Sequence, residues 1–151
     1  MELNKKDFKK LKLLTLFTHS IIIFGMGHGI GFMILVDFIG LKSVFENSFD
    51  LSLNIGNELE HRISLIAVLS IVGKVMIALT FFKFNFQLKS IFIILGIVFL
   101  WFTIFLMTYN LEYSGTPTLT LITSLFFLIV SILMIVSQIK KNMKINYGTT
   151  Q

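Results

Sequence analysis

The sequence predicts an all-α membrane protein, a single antiparallel bundle of four transmembrane helices with both termini in the cytoplasm. Three observations lead to this fold class. First, 55% of the 151 residues are hydrophobic and the mean hydropathy is +0.86, which is more apolar than a soluble domain of this size. Second, the apolar residues form four runs of the length needed to cross about 30 Å of hydrocarbon. Third, the lysines are distributed asymmetrically between the connecting segments.

The four helices are predicted at about residues 13–38, 63–82, 88–109 and 118–139, within one domain of residues 1–151. The first run follows a basic segment, but it is too long for a signal peptide and no small-x-small cleavage site follows it. Asn57 and Glu60 have the spacing of a capping box before the second helix. Thr116 followed by Pro117 suits the start of the fourth helix. The tail from Lys140 is expected to fray.

Lysine placement predicts the topology. On the predicted outer side only Lys42 and Arg62 are basic, and most of the acidic residues lie there. The positive-inside rule therefore predicts a multi-pass protein of the cell (inner) membrane, and the richness in Ile, Phe, Lys and Asn indicates a bacterial source. The basic residues of the predicted inner side are Lys5, Lys6, Lys9, Lys10, Lys12, Lys83, Lys89, Lys140, Lys141 and Lys144. Because topology accounts for the net charge of +5, no nucleic-acid partner is expected.

The residue inventory excludes several classes of chemistry. The chain has no cysteine, so disulfides, thiolate metal sites, iron–sulfur clusters and a cysteine nucleophile are excluded. No serine lies in a Gly-x-Ser-x-Gly pattern. The glycines at alternate positions near residue 28 do not form a phosphate loop, because no strand–turn–helix context surrounds them. The sequence thus carries no complete catalytic signature, and catalytic residues are not assigned.

Each predicted helix has a stripe of small or polar residues at helical spacing. In lipid such residues form the helix–helix contacts. We therefore predict that these stripes face the interior of the bundle. They are Thr18, Gly25 and His28 in the first helix, Ala67, Ser70, Lys74 and Ala78 in the second, Gly96, Thr103 and Asn110 in the third, and Thr120, Ser124, Ser131 and Gln138 in the fourth.

Lys74 is the most unusual residue, because it lies near the centre of the second predicted helix. A charge at that depth costs roughly 2.5–3.5 kcal/mol even on lenient insertion scales, and such residues commonly contact a substrate, an ion or a partner. At 1.5 Å rise per residue, His28 and Lys74 would differ in depth by only about 6–7 Å. The two residues are therefore the candidate cofactor-binding pair, for a haem, a quinone or an anion. His19 is nine residues before His28 and points to the opposite side of a helix, so a bis-histidine haem site does not fit.

The glycines around His28 have a second interpretation. Gly25 and Gly29, and likewise Gly27 and Gly31, form two overlapping GxxxG motifs. In membrane helices this spacing is typical of close helix packing. The sequence therefore predicts that helix one packs against another helix through this glycine face.

A second cluster is predicted at the outer ends of helices one and two. Asp37, Glu58 and His61 could together bind one metal ion. A di-metal carboxylate site would need two Glu-x-x-His motifs, and the chain has one. The alternative is electrostatic, with Asp37 and Arg62 forming an ion pair that fixes the two helix ends.

Two functions follow from these observations. The first is a non-enzymatic accessory, assembly or immunity-type protein without a cofactor, which packs in the lipid bilayer against a membrane-protein partner or forms a homo-oligomer. The second is a redox or transport component that binds haem, quinone or an anion through His28 and Lys74. The short soluble segments offer no independent active site.

Overall fold

The computed structural model describes residues 5–26, 29–45, 63–109 and 116–148. In these ranges the chain is mostly helical and also forms one antiparallel sheet of two strands. The elements are α1 Lys5–Ser20, β1 Ile23–Met26, β2 Gly29–Phe32, α2 Met33–Phe45, α3 Ile63–Leu79, α4 Phe86–Thr108 and α5 Thr116–Gly148.

The first predicted helix, residues 13–38, is wrong as a continuous element. Helix α1 ends at Ser20, and a β-hairpin separates it from α2. In the hairpin Ile23 is paired with Phe32, and the Met33 N–H donates a 2.9 Å hydrogen bond to the Ile22 carbonyl. The hairpin therefore reverses the chain and brings the start of α2 back beside the end of α1. Residues 13–38 therefore do not form one membrane-crossing helix. The predicted four-span topology depends on such a helix.

Glycine at alternate positions is the physical reason for the hairpin. A glycine inside a helix costs about 1 kcal/mol relative to alanine, and a repeat of two matches a strand rather than a helix. Phe24 is paired with Gly31 across the hairpin. A Cβ on Gly31 would lie 3.0 Å from the Phe24 Cζ atom, so the buried Phe24 ring occupies the space that the glycine leaves.

The hairpin also corrects the predicted glycine face. Gly25 lies in β1, whereas Gly29 and Gly31 lie in β2. A four-residue spacing lines up on one face only in a helix, so these residues do not form a GxxxG helix-packing surface. Gly27 lies outside the described residues.

Helix α5 supports α1 and the hairpin along their length. The Ile23 N–H donates to the Thr123 hydroxyl at 3.2 Å, which satisfies a backbone group on the open edge of β1. Farther along, Thr15 contacts the Met134 sulfur at 3.5 Å, and the His19 ring packs edge-on against Phe127 at 5.0 Å between centroids. The hairpin is thus fixed to a long helix.

Close glycine packing occurs elsewhere, between α3 and α4. A Cβ on Gly73 would lie 2.9 Å from the Gly96 carbonyl oxygen, and a Cβ on Gly96 would lie 2.9 Å from the Gly73 carbonyl oxygen. Because neither residue has a side chain, the two backbones approach directly.

The remaining helices agree with the prediction except at their ends. Helix α3 begins at Ile63 as predicted but ends at Leu79, and α5 continues to Gly148 instead of fraying from Lys140. Asn142 explains part of this extension, because it donates to the Ser90 hydroxyl of α4 at 2.8 Å and accepts from Gln138 at 3.1 Å.

Two helices, Phe86–Thr108 and the Thr118–Met143 part of α5, are long and apolar enough to cross a membrane. Helix α3 is apolar but shorter, with 17 residues. Length and composition therefore support a membrane location for two helices.

The predicted polar stripe of the fourth helix is confirmed. Its four members are buried, together with Phe127 and Met134. The stripes of the other helices are buried except at Ala78, which is exposed, and Lys74, which is partly exposed. His28 and Asn110 lie outside the described residues. The buried members are Thr18, Gly25, Ala67, Ser70, Gly96, Thr103, Thr120, Ser124, Ser131 and Gln138.

Candidate functional site

An ion pair between α2 and α3 is the main polar feature of the interior. The Lys74 ammonium group donates to Oδ2 of Asp37, and the Ser70 hydroxyl donates to Oδ1 of the same carboxylate at 2.5 Å. The side chains of Lys74 and Asp37 are 17% and 13% exposed. Both carboxylate oxygens thus have a donor, and the two opposite charges lie side by side in a largely buried position.

Helical spacing brings these groups together. Ser70 and Lys74 are four residues apart on α3 and therefore project from one face, while Asp37 extends from α2. Removing one partner of a buried ion pair costs about 3–5 kcal/mol, because the other charge is left uncompensated. The pair therefore links α2 to α3.

The structure gives Asp37 two partners that the sequence did not predict, Lys74 and Ser70. The sequence predicts an Asp37–Arg62 pair, since a continuous helix would put Asp37 at the outer surface. The hairpin instead returns the chain, so that Asp37 lies at the level of Lys74. Arg62 lies outside the described residues.

A second buried polar contact involves His19, whose spacing from His28 does not fit a bis-histidine haem site. Its Nε2 lies 3.0 Å from the Thr103 hydroxyl, and that hydroxyl donates to the Leu100 carbonyl at 2.7 Å. Thr103 has used its only proton, so Nε2 carries the proton and donates to Thr103. The opposite nitrogen, Nδ1, is then an acceptor, and it has no hydrogen-bond partner in the described structure.

Several predicted site residues lie outside the described ranges. His28 is one of them, so its predicted approach to Lys74 stays a prediction. Glu58 and His61 are two more, while the third predicted metal ligand, Asp37, contacts Lys74 and Ser70. Among the described residues, no group of three His, Cys, Asp or Glu side chains could hold a metal ion.

No protein family matches this chain. No curated protein or solved structure matches it either.

The arrangement is suited to holding α2 and α3 together. The Lys74 amine is protonated in an ion pair, so it is not a free nucleophile, and the Asp37 carboxylate accepts on both oxygens. Among the described residues, His19 Nδ1 is the buried side-chain atom without a hydrogen-bond partner. It could accept a hydrogen bond from a water molecule or a small donor ligand.

The sequence contained a signal for the Asp37–Lys74 ion pair. The predicted depths of the two residues in the membrane did not reveal it. Asp37 is the only acidic residue in the first apolar run, and Lys74 is the only charged residue in the second. Charged residues within membrane segments pair with one another. Matching the two opposite charges would have predicted their contact, whereas His19 carries no comparable signal.

Proposed function

We propose that this chain is a non-enzymatic, multi-pass protein of the bacterial cell (inner) membrane, which acts as an accessory, assembly or immunity-type protein. It would work by packing against another membrane component or a second copy of itself. The observation that supports this most directly is the Asp37–Lys74–Ser70 contact, because it assigns the unusual lysine a structural partner. The two apolar helices α4 and α5 support the membrane location.

The hairpin and α2 offer the surface for such a partner. Ile30 and Phe32 on β2 are 74% and 50% exposed, and Phe38 on α2 is 64% exposed. We propose this apolar face, here called the hairpin face, in place of the predicted glycine face. Irregular backbone at membrane depth is tolerated where protein covers it, which favours a protein neighbour over lipid at the hairpin.

Because the chain has no cysteine, crosslinking of introduced cysteines can test whether a protein neighbour covers the hairpin face. Single-cysteine variants Ile30→Cys and Phe38→Cys would be crosslinked in intact membranes with a thiol reagent. The matched control is Ile122→Cys, which is 61% exposed on α5. We expect one adduct of defined mass from the first two positions and none from the control. Equal crosslinking at all three positions, or none at any, would contradict the proposed face.

Membrane integration has its own test. A protein with α4 and α5 in the bilayer should stay in the membrane pellet after alkaline carbonate washing and dissolve only in detergent. Release by carbonate alone would contradict the membrane assignment.

A second candidate function is supported by the unpaired His19 nitrogen. We propose, as the alternative, a membrane protein that binds a cofactor or small ligand in redox or transport. The haem, quinone or anion would contact Lys74 and His28, or the buried His19. An absorbance spectrum and an organic extract of detergent-purified protein would test this function. A Soret band or a stoichiometric quinone would support it, and their absence from folded protein would contradict the haem and quinone forms.

A further inference from the structure

Three lysines from three helices lie near one another, since the charges of Lys89 and Lys141 both act on Lys12. Lys12 lies on α1, Lys89 in the first turns of α4, and Lys141 on α5. The ammonium groups of Lys12 and Lys141 lie 5.2 Å and 5.6 Å from the centroid of the same ring, Phe8. We call these three residues the lysine corner.

Lys12 is the buried member of the lysine corner. It is 7% exposed, and its ammonium group has a long 3.5 Å hydrogen bond to the Thr80 carbonyl and lies over the Phe8 and Phe81 rings. Aromatic faces attract a cation but do not neutralise its charge. No carboxylate pairs with Lys12 in the part of the chain that the structure describes. Burial and the charges of Lys89 and Lys141 lower the pKa of Lys12 to about 8.

The start of α4 adds positive potential to the lysine corner. The first N–H groups of a helix have no partner within the helix and carry a partial positive charge. The Asn85 side chain makes no capping hydrogen bond, and the first turn of α4 contains no acidic residue. Lys89 follows within the next turn. The Lys141 ammonium group lies 5.1 Å from the ring centroid of Phe86, the first residue of α4, so the positive end of this helix lies beside the lysine corner.

We propose that the lysine corner binds a phosphate group, supplied either by the headgroup of an anionic phospholipid or by free phosphate. Ammonium groups are common phosphate ligands in proteins, and phosphate oxygens can accept from several donors at once. Phe8, Phe81 and Phe86 surround the ammonium groups with apolar surface. In a membrane, this surface would suit the acyl chains attached to a lipid headgroup.

The test uses the full chain in a mild non-ionic detergent. Two probes are compared: inorganic phosphate against sodium chloride of the same ionic strength, and phosphatidylglycerol against phosphatidylcholine. Binding is measured by native mass spectrometry and by the shift in melting temperature. The main variant is Lys141→Gln, because Lys141 is exposed and its replacement should not affect folding. Lys12→Met is the second variant, and Lys10→Gln, an exposed lysine elsewhere on α1, is the matched control.

We expect Lys141→Gln and Lys12→Met each to weaken binding by about tenfold, because each removes one charge-assisted contact. Lys10→Gln should leave binding unchanged. Binding of both probes would show that the phosphate group suffices. Binding of phosphatidylglycerol alone would identify a lipid site, and binding of inorganic phosphate alone would identify a free-phosphate site. An equal loss in Lys10→Gln would overturn the proposal in favour of diffuse surface charge. No binding of either probe by the unmodified chain would also overturn it.

Discussion

At the scale of single residues, the interior depends on charges that compensate each other. Asp37 accepts from Lys74 and from Ser70, so replacing either charged partner leaves the other alone in a largely buried position. Replacing both removes the need for compensation, and a buried ion pair can often be exchanged for uncharged residues with little loss. Single and double variants should therefore behave very differently.

We expect Asp37→Asn and Lys74→Met each to lower the free energy of unfolding by about 3–5 kcal/mol. The double variant should recover a large part of that loss. Thermal unfolding in detergent, followed by circular dichroism, would measure all three. The matched controls are Asp7→Asn and Lys10→Met, both at exposed positions on α1. A double variant whose loss equals the sum of the single losses would show that the two side chains do not stabilise each other.

The protonation of Lys12 should make anion binding at the lysine corner depend on pH. Its pKa is lowered to about 8, so below that pH it is protonated and can attract an anion, and above it the charge is lost. Binding of phosphatidylglycerol, whose phosphodiester stays ionised, should weaken as the pH rises from about 7 to about 9. Lys89 on α4 and Lys141 on α5 would leave a residual affinity. In Lys12→Met this pH dependence of binding should disappear. If it persists, a group other than Lys12 causes it.

At the scale of elements, the contact between α3 and α4 depends on two glycines. A side chain at Gly96 would begin 2.8 Å from Ile77 Cγ1 and 2.9 Å from the Gly73 carbonyl oxygen, and a backbone atom cannot rotate away. Gly96→Val should therefore lower the free energy of unfolding by about 1–3 kcal/mol, as overpacking usually does.

Leu95→Val is the control for Gly96→Val, since Leu95 is an exposed neighbour on the same helix and acquires the same β-branched side chain. Its melting temperature should stay close to that of the unmodified chain. Equal melting temperatures for Gly96→Val and the unmodified chain would mean that α3 and α4 can separate without cost.

The same elements show what the sequence predicted well and where it failed. Apolar runs located α3, α4 and α5, because a helix needs only its own residues to satisfy its backbone. The run at residues 13–38 passed the same test of length and hydropathy. Hydropathy does not distinguish a strand from a helix, and the alternation of glycines at residues 25–31 was the relevant signal.

The predicted position of Asp37 was wrong because residues 13–38 were predicted as one continuous helix. A continuous helix would have carried Asp37 about 27 Å from His19, at 1.5 Å per residue. The hairpin cancels most of this rise, and the contact with Lys74 results. The depth of Asp37 therefore could not be predicted until the direction of the chain was known, although its charge already indicated Lys74 as a partner.

At the scale of the whole molecule, α1 and α5 place their basic ends together. Lys12 and Lys141 lie over the same Phe8 ring. The start of α1 and the basic part of α5 must therefore lie on the same side of any membrane that the bundle crosses. This agrees with the positive-inside argument for these lysines, although the path between them differs from the predicted one.

Cysteine labelling would test this arrangement in cells. We expect single variants Lys10→Cys and Lys140→Cys, both exposed, to resist a membrane-impermeant maleimide in intact cells and to react after permeabilisation. Different behaviour of the two positions in intact cells would place the two ends on opposite sides and contradict the packing of α1 with α5.

The Asp37–Lys74 contact also has a consequence for biosynthesis. Asp37 leaves the ribosome 37 residues before Lys74. During that interval its carboxylate has no counter-ion, and a lone charge in hydrocarbon is costly. If the chain is the multi-pass membrane protein that we propose, α2 would remain in the insertion machinery or at the lipid headgroups until α3 has been synthesised. The two segments would then enter the bilayer together, as one neutral unit.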